Sequence, residues 1–192
     1  MKTISYPWMN KNRLETLKVS GKENIVLFET DIEKVEVYIE DGDISKIVHI
    51  TKDLETIIKK NQRHHIVVGE GNTQRDVYHY LKPAGPSPFL RLGITIHQGL
   101  GTWSSLPHKF ELQAEPGFEE VFFYLLDGTS KRAIQVGKGV WCDGSAVDEI
   151  WLVKDRSFST IPMGYHPIVG EPGVKVSYLW AYLAKKKEWE KI

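Results

Sequence analysis

A chain of 192 residues is long enough for one well-cored domain with a sizeable extension, and short for two complete domains. Its 25 Lys and Arg balance its 25 Asp and Glu, so no net positive field exists to attract nucleic acid or an acidic membrane. The single cysteine, Cys142, excludes an internal disulfide framework. No signal-peptide core and no run of roughly 20 apolar residues is present, which predicts a cytoplasmic protein without membrane spans.

The first third of the chain is predicted to form short strands. Residues 24–29, 34–39 and 44–50 are rich in β-branched and aromatic residues and are separated by turn residues such as Gly42. Asp53 is a suitable N-cap, so a short helix is predicted over residues 54–60. A linker is then expected at residues 62–65.

Strand patterns resume after this linker at close spacing. They cover residues 66–68, 76–81, 89–98, 121–126, 133–136, 149–153, 158–161, 168–169 and 174–183. Glycine and proline mark turns between them, among them Gly137-Lys-Gly139 and Met163-Gly164. Many short strands separated by turns are typical of a β-sandwich or barrel.

The most informative stretch covers residues 106–126, where His108 and Glu120 lie on two predicted neighbouring strands. Successive strand side chains alternate between faces, so Glu120 should share a face with Phe122 and Tyr124. A carboxylate beside such an apolar run is costly to bury unless a positive group pairs with it. A metal ion would serve, with His108 as a second ligand.

A third candidate ligand, His166, follows a predicted turn at Gly164 and begins the next predicted strand. Taken alone, a histidine in this setting is more often structural than a ligand. Together with His108 and Glu120, it completes a set of two imidazoles and one carboxylate, which suits a divalent first-row metal with positions open to substrate. His97, in an apolar strand, is more typical of a core residue and is a reserve candidate.

Several motifs resemble a known family. Residues 99–109 (GLGTWSSLPHK) are similar to the GNWSSYPPHKHD signature of 5-deoxy-glucuronate isomerases of inositol breakdown, and residues 116–124 (PGFEEVFFY) resemble their P…LEEVYYY strand. Further matches to VYTDD, LDE, VPRGYHPV and a glycine-rich stretch ending in arginine are VWCD (140–143), VDE (147–149), IPMGYHP (161–167) and GEGNTQR (69–75). The likeness covers roughly residues 64 to 183, in order.

The resemblance implies an all-β fold, the cupin double-stranded β-helix or jelly-roll barrel, over residues 64–192. Residues 1–63 would form a short N-terminal β extension, the remnant of a first cupin. The related 5-keto-4-deoxyuronate isomerases share this fold and its metal site. Carried over by motif, the family's metal ligands fall on His108, Glu120 and His166.

The chain departs from the family pattern at three positions. Phe110 replaces a fourth ligand histidine, and a residue two positions after His108 should point into the same cavity. Three protein ligands with water remain an ordinary catalytic arrangement. Ser145 and Met163 replace family arginines, which removes positive charge that could hold a substrate carboxylate.

The leading functional prediction is a metal-dependent sugar isomerase, an intramolecular oxidoreductase that interconverts an aldose and a ketose. The cofactor would be a divalent ion (Zn, Mn, Ni or Fe), and the substrate a sugar or a uronate-like sugar acid. The candidates for proton transfer are Tyr165, Glu119, Lys109 and Asp148, and those for substrate binding are Arg75, Trp103 and Phe110.

Two other classes stay open from the sequence. A cupin that binds a sugar or sugar acid without turnover fits the losses at Phe110, Ser145 and Met163. An oxygenase is the third reading, because two histidines and one carboxylate also suit ferrous iron. Exposed edge strands are most simply covered by a second copy, so a homodimer is expected.

Overall fold

A computed structural model describes residues 5–101, 103–104 and 118–183. Within these residues the chain is all-β, as predicted, with fifteen strands and two single-turn 3₁₀ helices, Lys60–Gln62 and Gly71–Thr73. In the same residues, no helix has the length and apolar character needed to cross a bilayer.

The first five strands form an antiparallel meander in which each strand pairs with the next. They are β1 (Lys18–Lys22), β2 (Ile25–Glu29), β3 (Glu33–Glu40), β4 (Asp43–Thr51) and β5 (Glu55–Lys59). Burial alternates along β3, so one face of this sheet is apolar and packs inward. The proposed boundary at residue 63 stays a prediction.

The remaining ten strands build two further antiparallel sheets. They are β6 (His64–Val68), β7 (Arg75–Leu81), β8 (Leu90–His97), β9 (Glu120–Asp127), β10 (Arg132–Val140), β11 (Ala146–Lys154), β12 (Phe158–Ile161), β13 (Met163–Tyr165), β14 (Ile168–Gly170) and β15 (Lys175–Leu183). One sheet has the order β12-β9-β15-β8-β7-β6. The other has the order β11-β10-β13, with β14 also paired to β10.

The six-stranded sheet is the middle layer, and its strands β8, β9 and β15 are buried on both faces. Phe123 and Leu179 on one face join the apolar core of the five-stranded sheet. Phe122, Tyr124 and Tyr178 on the other face pack against the four-stranded sheet. Burial on both sides explains why β9 is an unbroken apolar run rather than an alternating one.

The predicted helix over residues 54–60 is wrong, because this segment forms β5. Thr56 and Ile58 turn toward the core while Ile57 points outward, and the strand pairs with β4. Two consecutive isoleucines after a threonine suit a pleated surface better than a helix. The linker expected at residues 62–65 is also wrong in part, since β6 begins at His64.

Two predicted turns lie within strands. Gly137 to Gly139 belongs to β10, and Met163-Gly164 to the short strand β13 that pairs with it. A Cβ atom on Gly139 would overlap the Met163 carbonyl oxygen. The glycine is therefore required by close backbone approach rather than by a turn. Consequently His166 does not begin a strand, but lies between β13 and β14.

The segment before β1 lies along the edge of the six-stranded sheet. Trp8 forms a parallel bridge to Phe158 on β12. The Asn10 side chain donates to the Thr160 carbonyl (2.8 Å) and accepts from the Thr160 N–H (3.0 Å). This segment therefore covers the exposed edge of β12.

Candidate active site in the barrel

A cavity of about 270 Å³ opens on the barrel side of the six-stranded sheet. Alternate residues of β7, β8, β9 and β15 line it, because period-two alternation places them on one face. The lining residues are Arg75, Val77, His79, Thr95, Glu120, Phe122, His166, Tyr178, Trp180 and Tyr182. The cavity thus contains one carboxylate, one guanidinium, two imidazoles and three hydroxyl groups, together with several aromatic rings.

Glu120 and His166 face each other in this cavity. The Glu120 Oε2 atom lies 3.9 Å from the His166 Nε2 atom, and both side chains are almost fully buried. Glu120 comes from the first position of β9, on the same face as Phe122, as alternation predicts. Burial raises the pKa of Glu120 to about 8, so a cation in the cavity would favour its charged form.

The ring of His166 is held by its other nitrogen. Its Nδ1 atom lies 2.8 Å from the Gly164 carbonyl oxygen, an acceptor, so Nδ1 carries the proton and donates. The Nε2 atom then presents a lone pair toward Glu120. A histidine oriented in this way by a backbone carbonyl is the usual arrangement of a metal ligand.

These two side chains suit a divalent cation. Two ligands at about 2.1 Å from one ion can be up to about 4.2 Å apart, which accommodates the observed separation. In residues 5–101, 103–104 and 118–183, no group of three or more His, Cys, Asp or Glu side chains could hold a metal. The third predicted ligand, His108, lies outside the described residues, as do Lys109 and Phe110.

Arg75 contributes a buried positive charge to the cavity. It begins β7, is 5% exposed, and its Nη1 atom donates to the Thr73 carbonyl oxygen (2.8 Å). Within the part of the chain that the structure describes, no carboxylate pairs with it. A guanidinium in this setting suits an anionic group of a bound molecule.

The other predicted site residues in the described chain do not line this cavity. Trp103 is 40% exposed, and its backbone N–H donates to the Asn72 carbonyl oxygen. Tyr165 on β13 is exposed, and Asp148 on β11 is exposed with its carboxylate 3.6 Å from Lys138 Nζ. The structure therefore brings together Arg75, Glu120 and His166, but not these three.

Glu119 points away from the cavity and anchors the N-terminal segment. Its two carboxylate oxygens accept the backbone N–H groups of Thr16 (2.7 Å) and Leu17 (2.9 Å). The adjacent carboxylates thus have different surroundings, since neighbouring strand residues face opposite sides. Backbone donors satisfy Glu119, which gives it a structural environment.

Several cavity residues were not singled out in the sequence. The hydroxyl groups of Tyr178 and Ser104 share a hydrogen bond (3.0 Å). The ring of Trp180 stacks on that of Tyr182, with centroids 5.8 Å apart. Burial is the main cause that lowers the pKa of His79 to about 4. These residues alternate along β7 and β15, and this alternation is visible in the sequence. It did not identify the cavity face, because both faces of β15 are apolar. His97 is fully buried with its ring edge-on to Tyr178.

A larger cavity of about 520 Å³ lies between the five-stranded sheet and the end of the barrel. Its lining carries four aspartates and four basic side chains, with no histidine. The Asp43 carboxylate there already pairs with Lys60 and Arg63. The smaller cavity differs in that its carboxylate, its guanidinium and the His166 imidazole are all buried.

Comparison with known proteins gives relatives that carry one name. The 5-deoxy-glucuronate isomerase of Geobacillus thermodenitrificans is 29% identical over 126 residues, which are 64% of this chain and 44% of that protein. The 5-deoxy-glucuronate isomerase of Bacillus subtilis strain 168 is 28% identical over 126 residues, 64% of this chain and 45% of that protein. The chain spans less than half the length of these curated relatives.

A solved structure shows the fold. An IolB-like protein from Salmonella typhimurium LT2 superposes with a TM-score of 0.60 at 19% identity, over 91% of this chain and 73% of that one. The predicted cupin barrel is thereby confirmed. The model of the KduI/IolB family matches residues 21–192, which agrees with the resemblance carried by the motifs, and the chain belongs to that family.

Proposed function

We propose that this protein is a metal-dependent aldose–ketose isomerase that acts on an open-chain sugar acid. The observation that supports it best is the buried Glu120–His166 pair, 3.9 Å apart in a cavity that also contains the Arg75 guanidinium. The name of the relatives, 5-deoxy-glucuronate isomerase, agrees with this reading. A cytoplasmic location is part of the same proposal.

Glu120, His166 and the predicted His108 would hold the cation. A divalent ion bound there would supply positive charge to stabilise the oxyanion that develops at the substrate carbonyl during isomerisation. Glu120 must be ionised to bind it, although burial alone raises its pKa. The Gly164 carbonyl keeps His166 in the tautomer whose Nε2 carries the lone pair that would bind a cation.

Arg75 would bind the substrate carboxylate and so fix which end of the molecule reaches Glu120. The aromatic side chains Trp180 and Tyr182 would pack against the C–H groups of the sugar and exclude water. The buried hydroxyl of Tyr178, paired with Ser104, can donate to substrate oxygens. The group that moves the proton between carbons stays a prediction, with Lys109 still a candidate.

The test is isomerisation after controlled metal loading. The protein is stripped with a chelator, reloaded with Mn, Zn, Ni or Fe, and incubated with 5-deoxy-glucuronate in D₂O. We expect activity and deuterium uptake at the carbon beside the carbonyl to return with metal. Tight sugar-acid binding without turnover would favour the binding cupin, and oxygen uptake with iron would favour the oxygenase.

A matched pair of arginine variants tests the substrate class. Arg75→Met should raise KM for a sugar acid by about a hundredfold, with a much smaller effect on a neutral sugar, because a buried charge partner is lost. Arg63→Met is the control, since the Arg63 side chain is only 10% exposed and pairs with Asp43 outside this cavity. Equal effects of the two variants would argue against carboxylate binding by Arg75.

The family departure at Phe110 offers a gain-of-function test. Restoring the motif with Phe110→His should tighten metal binding by about tenfold, because a fourth ligand is added. Isothermal titration with Mn or Zn measures it. Unchanged affinity would show that Phe110 does not face the ion.

A further inference from the structure

The outer face of the four-stranded sheet carries an exposed apolar group. In the β10–β11 register Ile134 lies opposite Leu152, and Val136 lies opposite Ile150. Ile150 is 72% exposed and Leu152 is 53% exposed. Isolated apolar side chains on a surface are ordinary, but four adjacent ones mark an interaction surface. We call Ile134, Val136, Ile150 and Leu152 the outer apolar face.

This face borders an open sheet edge. Within the described residues β11 pairs with β10 alone, so the backbone N–H and C=O groups along its other side have no strand partner. The strand is nine residues long, Ala146–Lys154. A long edge strand with an apolar face is a ready template for pairing with another strand.

The charges along β11 favour one partner, a second copy of the same strand. Asp148 and Lys154 lie on the same face as Ile150 and Leu152, one at each end of them. In an antiparallel pair of two β11 strands with a two-fold axis at Trp151, Ile150 lies opposite the partner subunit's Leu152. Asp148 then lies opposite the partner subunit's Lys154, twice per pair.

The alternative registers are less favourable. A two-fold axis at Ile150 would place Asp148 opposite the partner subunit's Leu152. An axis at Leu152 would place Lys154 opposite the partner subunit's Ile150. On the outer face, both leave a charge against an apolar side chain, whereas the axis at Trp151 pairs unlike charges and like apolar groups there.

We infer that the protein forms a homodimer in which β11 pairs antiparallel with β11 of a second copy about a two-fold axis at Trp151. The outer apolar face is covered in the middle of the contact, and the Asp148–Lys154 pairs close its two ends. The contact is isologous and closes on itself, so it stops at two copies. This inference is independent of the proposed chemistry.

Charge reversal tests the register by sedimentation velocity on the full chain from 1 to 100 µM. Asp148→Lys and Lys154→Asp should each weaken the dimer by about tenfold, because each places like charges opposite each other twice. The double variant D148K/K154D should restore association to within about threefold of the unmodified protein, since it exchanges the two signs. Absence of rescue, or no effect of either single change, would overturn the register and the proposal.

A matched pair of apolar variants tests the location. Ile150→Lys should give a monomer at 100 µM, whereas Ile57→Lys, on the edge strand β5 and 48% exposed, should leave the dimer intact. Both positions are exposed, so thermal unfolding should confirm that both variants fold. A protein that is monomeric throughout, or a dimer that Ile150→Lys does not disrupt, would contradict the inference.

Discussion

The described part of the chain contains two buried glutamate–histidine pairs that have opposite properties. In the five-stranded sheet, Glu33 Oε2 and His49 Nε2 are 2.7 Å apart, with both side chains 1% exposed. In the barrel, Glu120 Oε2 and His166 Nε2 are 3.9 Å apart at similar burial. The residue types are the same, but the first separation is within hydrogen-bond range and the second is beyond it.

The surroundings explain the difference. Burial alone would raise the pKa of Glu33, but hydrogen bonds from His49 and Ser87, with the Leu90 N–H, lower it below its ordinary value. Burial raises the pKa of Glu120 to about 8 instead. The Glu33–His49 pair joins two layers of the fold. Glu33 also accepts the Leu90 N–H, and Leu90 and Ser87 belong to the barrel side. In the wider pair the two groups are not in hydrogen-bond contact with each other.

The strongest test of this comparison is the loss of the close pair. Glu33→Ala should lower the free energy of unfolding by about 3–5 kcal/mol, because His49 is left buried without its charged partner. Urea unfolding at pH 7 measures it. Glu36→Ala on the same strand is the control, since Glu36 forms a partly exposed pair with Lys34 worth less than about 1 kcal/mol. Equal losses would refute the distinction.

The same pair predicts the acid limb of stability. The folded pKa of Glu33 is below 4.5, so the unfolded chain takes up its proton first as pH falls. The stabilisation by Glu33 is complete above pH 4.5 and is lost as pH falls through the lower folded pKa. Glu33→Gln should therefore show a flatter dependence of unfolding free energy on pH in this acidic range.

The wide pair should respond in the opposite direction. Glu120→Gln should weaken Mn or Zn binding on the order of a hundredfold, because one of the proposed ligands is lost. It should also stabilise the metal-free protein by about 1–2 kcal/mol, because its surroundings disfavour a carboxylate. Calorimetric titration and urea unfolding give the two values. A variant that binds metal normally would exclude Glu120 as a ligand.

Substitution of the neighbouring Glu119 should have a smaller effect on stability and tests whether the metal-binding loss is specific to Glu120. Glu119→Gln should lower the free energy of unfolding by about 1–2 kcal/mol, because its two oxygens accept the Thr16 and Leu17 N–H groups and the amide can accept only one. Metal affinity of the folded protein should stay within about threefold. A loss of metal binding equal to that of Glu120→Gln would mean that the two faces of β9 are not independent.

The smallest expected effect concerns His79. Its folded pKa of about 4 lies below its ordinary value of 6.5, so the unfolded chain binds the extra proton between these values. Stability should fall by about 1 kcal/mol as pH drops from 6.5 to 4, after allowance for partial exposure. His79→Gln should remove this slope in thermal unfolding scans. An unchanged slope would assign it to another group.

Much of the barrel was predictable because its longer strands are rich in β-branched and aromatic residues and are bounded by turn residues. Alternation placed Glu120 on the Phe122 face, and the motif around Gly164 marked His166. The pairing of Glu33 with His49 was not predictable, because it depends on the register between β3 and β4. The structural role of Glu119 was not predictable either, because it depends on its contacts with the N-terminal segment at Thr16 and Leu17.

The failures have local physical causes. Asp53 suggested a helix start, but pairing with β4 and the inward turn of Ile58 favoured β5. Gly137 and Gly139 suggested a turn, whereas close approach of Trp151 and of Met163 requires them inside β10. A glycine that is needed for a close tertiary contact inside a strand looks the same in the sequence as a glycine in a turn.

The order of the six-stranded sheet has a consequence for synthesis of the chain. β15, the last strand of the described chain, pairs with both β8 and β9 and lies between them. While the ribosome is still making the residues before it, those two strands have no common neighbour and their apolar edges stay open. Tyr182, opposite Glu120, arrives at the very end of β15, so the cavity can close only after nearly all of the described chain has emerged, and aggregation of nascent chains should be greatest just before that moment.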